Sequence, residues 1–146
     1  MSVSLKAETE AYLSRFYEPK VTAYEFLKCF FAFLKKKDIS EVDRDLVLFL
    51  YNQKQNPENN DVLDEISFRS NGVSYYSDDI EDALFNLQNG GLLGKMNPSF
   101  GIIINKYTNE EANKIIDSVP EEYRKIIERI ADLYENSKKG LVMHDI

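Results

Sequence analysis

Between Asp79 and Tyr107 the hydrophobic pattern of this chain changes its period, and that change leaves few folds open. Ile80, Ala83, Leu84 and Leu87 recur at helical spacing and form one apolar face. The pattern then meets Gly90-Gly91, a pair able to end a helix in a left-handed turn. Leu92–Met96 and Phe100–Tyr107 follow, the second carrying Ile102-Ile103-Ile104, and read as two short strands. Between them Asn97-Pro98-Ser99 has the residue types of a type I turn, with proline presetting φ at its second position. Ser77 stands where the helix needs an N-cap. The expected unit is a helix, a glycine stop and a β-hairpin, in that order.

Helices are expected on both sides of it. Thr22 with Glu25 three residues later forms a capping box, and Val21 with Phe26 is placed as a hydrophobic staple. The helix they open runs to Leu34 and ends on Lys35-Lys36-Lys37, cations suited to the negative end of the helix dipole. Phe26, Leu27, Phe30, Phe31, Phe33 and Leu34 cover more than one stripe of it. Such a helix wants neighbours on two sides, from a central position or a subunit interface. Ser40 is the expected cap of a second helix, in which Val42, Leu46, Val47 and Leu50 keep helical spacing. Gln53–Asn60 reads as an exposed loop, Asp61–Phe68 as a short helix with Leu63 and Ile66 turned inward, and Asn71-Gly72 as a turn. Beyond the hairpin, Thr108 with Glu111 opens a short helix. Ser118 with Glu121 opens a long one, with Tyr123, Ile126, Ile127, Ile130, Leu133 and Tyr134 as its apolar stripe. Gly140 is the expected stop, leaving a tail over 140–146. Residues 1–20, with Leu13, Phe16 and Tyr17 before Pro19, read as a helix or a packed arm.

At 146 residues and 43% hydrophobic content, the chain suits a single domain with a core of its own. The lone Cys29 excludes an internal disulfide and is read as a small core hydrophobe. The lone His144 has no partner nearby in sequence, no Cys/His spacing suits zinc, and no phosphate-cradling glycine loop or nucleophile–histidine–acid pattern occurs. No apolar run approaches the roughly 20 residues of a membrane span. Without a basic-then-apolar leader pattern, the expected compartment is the cytoplasm. The net charge of −7 gives no general attraction to nucleic acid or anionic lipid.

The order of short helix, turn, helix, hairpin and helix resembles a winged helix-turn-helix. In detail it is similar to the MarR-like regulators, whose recognition helix ends in Leu-x-x-x-Gly-Leu-aliphatic ahead of a wing and a Thr that opens the next helix. Here the matching residues are Leu87, Gly91, Leu92 and Leu93, the wing candidate Gly94–Gly101, and Thr108. The resemblance implies a mostly α fold with a small β-hairpin wing. Its winged helix-turn-helix core would span about 40–117, flanked by N- and C-terminal helices 22–37 and 119–136 that build a homodimer. It also implies base-reading side chains on the exposed face of Ser77–Asn89.

That face is where the chain departs from the family. It offers Asp78, Asp79, Glu81, Asp82, Asn86 and Gln88, whereas each phosphate contact needs a donor or a cation. Acids at a helix start also favour the dipole, by about 0.3–1 kcal/mol each. The expected function is therefore a non-catalytic protein–protein interaction or regulatory module, with no cofactor and no metal. Tyr75, Tyr76, Asp78, Asp79, Asp82 and Asn86 would contact a protein partner or a second copy, Tyr75 and Tyr76 being otherwise half-buried staple residues. The alternative is a MarR-like transcriptional regulator that touches DNA through Lys95, Asn97 and Lys106. A phage or mobile-element inhibitor with an acidic mimic surface is a second alternative.

Overall fold

The computed structural model describes residues 21–37, 41–95 and 102–144. The first helix, α1 (Ala23–Lys37), starts where the Thr22 side chain sets it. The Thr22 hydroxyl accepts from the Glu25 amide at 3.1 Å and donates to the Glu25 carboxylate at 3.0 Å. Val21 and Phe26, the staple pair, are both buried. So are Leu27, Cys29, Phe30, Phe31, Ala32, Phe33 and Leu34, which leaves α1 almost no solvent face. Of the two positions open to such a helix, it takes the central one. It packs against α4 (Asp78–Asn89), α5 (Asn109–Ser118) and α6 (Glu121–His144). The Phe30 ring alone meets Phe26, Phe31 and Tyr134 at centroid distances of 5.5, 5.7 and 5.6 Å. Replacing it by alanine would cost about 3–5 kcal/mol, the range for a buried aromatic that leaves a cavity.

Between α1 and α4 lie β1 (Glu41–Val42), α2 (Asp43–Lys54), a 3₁₀ turn (Pro57–Asn59), α3 (Asn60–Leu63), and the two strands β2 (Arg69–Ser70) and β3 (Tyr75–Tyr76). After α4 come β4 (Leu93–Lys95) and β5 (Ile102–Asn105). β5 pairs antiparallel with β4 on one side and with β1 on the other, giving a three-stranded sheet of order β1-β5-β4. β2 and β3 form a separate two-stranded ribbon. The architecture is mostly helical with an antiparallel β4–β5 pair, as expected at that coarse level, whereas β1 and the β2–β3 ribbon go beyond the single expected hairpin.

The glycine stop works through a Schellman turn. Gly90 keeps a right-handed φ of −80°, and Gly91 takes φ +80°, which a side chain rarely tolerates. The Leu92 amide donates to the Leu87 carbonyl at 3.0 Å, and the Gly91 amide to the Gln88 carbonyl at 3.0 Å. The chain thus leaves α4 directly into β4. At the far end of the sheet Tyr107 is buried, and its hydroxyl donates to the Lys28 carbonyl on α1 at 2.6 Å. Burial, reinforced by nearby Cys29, Tyr24 and Glu111, raises that phenol well above the usual tyrosine range. Thr108 and Glu111 form the expected capping box of α5.

Several expectations are corrected. Val42 belongs to strand β1, opposite Ile102, and α2 begins only at Asp43, so Val42 is no part of the helical face. Two residues recruited by β5 carry no alternation of their own to announce a strand. Gln53–Asn60 is not wholly exposed: Asn59 is buried because its side chain is satisfied internally. Its Nδ2 donates to the Gln53 carbonyl at 3.0 Å, and its Oδ1 accepts from Arg129 on α6 at 2.6 Å. Ser118 does not cap α6. Its hydroxyl donates back to the Ile115 carbonyl at 2.6 Å, and the Tyr123 and Arg124 amides donate to Pro120 instead. Gly140 does not stop α6, which continues to His144 and leaves no tail over 140–144. An interior glycine weakens a helix by about 1 kcal/mol relative to alanine without having to end it. The expected arm of Leu13, Phe16 and Tyr17, the Ser40 cap and the Asn97-Pro98-Ser99 turn lie outside the described residues.

Candidate functional site

α4 is fixed by its two ends and one face. The buried Ser77 hydroxyl accepts from the Ile80 amide at 3.2 Å, and the Schellman turn closes the other end. Ile80, Ala83, Leu84 and Leu87 are buried within the core that includes α1. The opposite face therefore carries Asp78, Glu81, Asp82, Phe85, Asn86 and Asn89 into solvent. Phe85 is 61% exposed, and an aromatic ring in the middle of a charged helix face calls for an explanation. It is the residue that the pattern reading missed. The signal was present: Phe85 falls off the 80/83/84/87 stripe, so the helical wheel places it among the acids.

The β2–β3 ribbon enters α4 from its N-terminal side. Its turn is built by Asn71, whose Oδ1 accepts from the Val73 and Ser74 amides at 2.9 Å, and by Gly72 at φ +88°. Arg69 pairs in register with Tyr76, and its guanidinium lies 4.7 Å over the Tyr76 ring. The same guanidinium donates to Asp78 Oδ1 at 2.8 Å. Asp79 Oδ2 accepts from the Ser67 amide at 2.8 Å. Two of the four acids near the start of α4 therefore tie the ribbon and its approach to the helix. Tyr75 stacks on Tyr51 of α2 with ring centroids 3.8 Å apart, and Tyr51 meets the Phe68 ring edge-on. A hydrogen bond and charge from Tyr75 raise the Tyr51 phenol above its ordinary range.

Tyr75 and Tyr76 are thus ribbon residues, each 39% exposed. Tyr76, Asp78, Asp82 and Asn86 border or share one surface with Phe85, whereas Asp79 is only partly exposed. Lys95 closes β4 opposite Ile103. Lys106 is exposed, and its chain lies across Gly94, where an added Cβ would sit 2.8 Å from Lys106 Cε. Asn97 lies outside the described residues.

Cys29 offers no nucleophile in this setting. It is wholly buried, and desolvation pushes its thiol up to about 12, with Arg124 opposing and Glu128 assisting. Among the described residues no group of three or more His, Cys, Asp or Glu is placed to hold a metal ion. Among them, too, no helix is long and apolar enough to cross a membrane. Comparison with known proteins gave no match to a family model, a curated protein or a solved structure.

Proposed function

We propose that this chain is a non-catalytic winged-helix regulatory module whose recognition helix, α4, faces a protein instead of a DNA groove. The strand order β1-β5-β4, with α4 leading into β4, supports the winged-helix part of this reading. One observation carries the functional part. The outward face of α4 presents Glu81, Asp82, Phe85 and Asn86 and not one cation. Half or more of the hydrogen bonds in a protein–duplex interface go to phosphate and sugar. Carboxylates there add repulsion where a reader needs donors. The ribbon supports the same reading, because Arg69 is already paired with Asp78 and Asp79 already accepts from Ser67. An aromatic ring amid polar residues is what a protein interface uses as an anchor.

A mobility-shift titration with duplex DNA of random sequence, from low to moderate salt, tests this reading. The expected result is weak binding with little salt dependence. Tight binding with a steep salt slope would overturn it in favour of a DNA-binding regulator. In that event Lys106, exposed beside β4, and Lys95 would be the phosphate contacts, and replacing both with alanine would weaken all sequences alike.

A further inference from the structure

We infer that the occupant of the α4 face is a basic amphipathic helix, one that sets an apolar side chain on Phe85 and cations against Glu81 and Asp82. This rests on the reading above that α4 meets a protein. Asp78 and Phe85 are seven residues apart on one face, an axial distance of about 10.5 Å. Asp78 is matched by Arg69, which also holds the Tyr76 ring. Among the described residues no ion pair joins Glu81 or Asp82 to a cation. They lie one turn from Phe85, at i−4 and i−3. The surface therefore runs from an aromatic residue through two open carboxylates to a second aromatic.

Charge complementarity selects a basic occupant, and the acids repel nucleic acid and anionic membranes. The backbone selects its shape. The amides and carbonyls along α4 are used within the helix, so an extended peptide finds no unpaired strand edge to extend there. A helix makes its contacts through side chains alone and packs ridges into grooves at about 8–10 Å between axes. Its repeat also fits. An apolar residue on Phe85 places residues three and four positions away over Glu81 and Asp82. A second apolar residue at position seven reaches toward Tyr76.

Synthetic Ala-rich peptides of about twenty residues, long enough to hold helix in water, provide the test. The probe carries Leu at i and i+7 with Arg at i+3 and i+4. One control moves the arginines to the opposite face, and another keeps the probe's face but places a proline in the middle. Binding is followed by fluorescence anisotropy and by amide shifts in the labelled protein. The probe is expected to bind and to shift residues 76–89, and Phe85→Ala to weaken it about thirtyfold, as for an interface anchor. Changing Glu81 and Asp82 together to lysine is expected to weaken it at least as much. Both controls are expected to bind at least tenfold more weakly. Absence of binding by the probe, or equal binding by the control with displaced arginines, overturns the inference. Phe85-dependent binding of the proline peptide, as tight as that of the probe, rejects the helical occupant while leaving α4 a protein-facing surface. Salt-steep DNA binding in the mobility shift would reject that underlying reading itself.

Discussion

The Asn105 side chain clips the end of β5 to the middle of α1, its Nδ2 donating to the Phe31 carbonyl at 2.8 Å. Its Oδ1 accepts from the Tyr107 amide at 3.1 Å, so one side chain serves both the sheet and the central helix. Asn105→Leu keeps the branched shape and removes both bonds, leaving the Tyr107 N–H and the Phe31 carbonyl without that partner. The expected loss is about 1–3 kcal/mol. Urea unfolding should show a lower midpoint at unchanged slope. An unaltered midpoint would mean that the clip contributes nothing.

Cys29 predicts a loss of stability toward alkaline pH. The unfolded thiol releases its proton near its ordinary value of 9.0, whereas burial holds the folded one to about 12. Between those values the folded state retains a proton that the unfolded state has lost. This contribution is complete below about pH 9 and falls as pH rises, by up to about 1.4 kcal/mol per pH unit. Cys29→Ala should flatten the decline measured by urea unfolding between about pH 8 and 10. Equal declines in both proteins would contradict the assignment.

The two glycines that end α4 should answer alanine in opposite ways. Gly90 has φ −80°, and an added Cβ would meet the Asn86 carbonyl oxygen at an ordinary 3.5 Å. Gly90→Ala is expected to be neutral or to stabilise by about 0.4–1 kcal/mol through the unfolded state. Gly91 has φ +80° and should lose about 1 kcal/mol or more, even though nothing stands within 4 Å of its added Cβ. Thermal unfolding of the two variants gives the comparison. Equal midpoints would show that the left-handed turn is not required.

Phe85 and Leu84 are chain neighbours on opposite faces of α4. Leu84 is 2% exposed and Phe85 61%. Leu84→Ala should cost about 2–5 kcal/mol. Phe85→Ser should stay within about 0.5 kcal/mol, as for a surface site. A large loss for Phe85→Ser would make that ring part of the core and unavailable to a partner.

Local chemistry was the most legible part of the sequence. Thr22, Ser77 and Thr108 announce their helices because a cap involves only three or four consecutive residues, and Gly91 announces its turn because φ belongs to one residue. Long-range pairing was not legible. Glu41-Val42 becomes a strand only because β5 lies beside it, and the Asn59 side-chain oxygen is satisfied by Arg129, which arrives from seventy residues away. The Tyr75–Tyr76 strand was hidden for the same reason: its partner Arg69 has no alternating neighbours to mark it. Of the face proposed to meet a partner, the acids were evident from composition. The aromatic at its centre becomes conspicuous only once Ile80, Ala83, Leu84 and Leu87 are known to be fully committed elsewhere.

Placing α1 at the centre has a consequence for synthesis. Its phenylalanines are covered by α4, α5 and α6, all later in the chain. A ribosome-bound chain that has emerged only as far as the hairpin still lacks two of these three walls, and shows an oily, aromatic cylinder to the cell. The core around α1 therefore closes only once α5 and α6 have been made, and until then that cylinder stays uncovered.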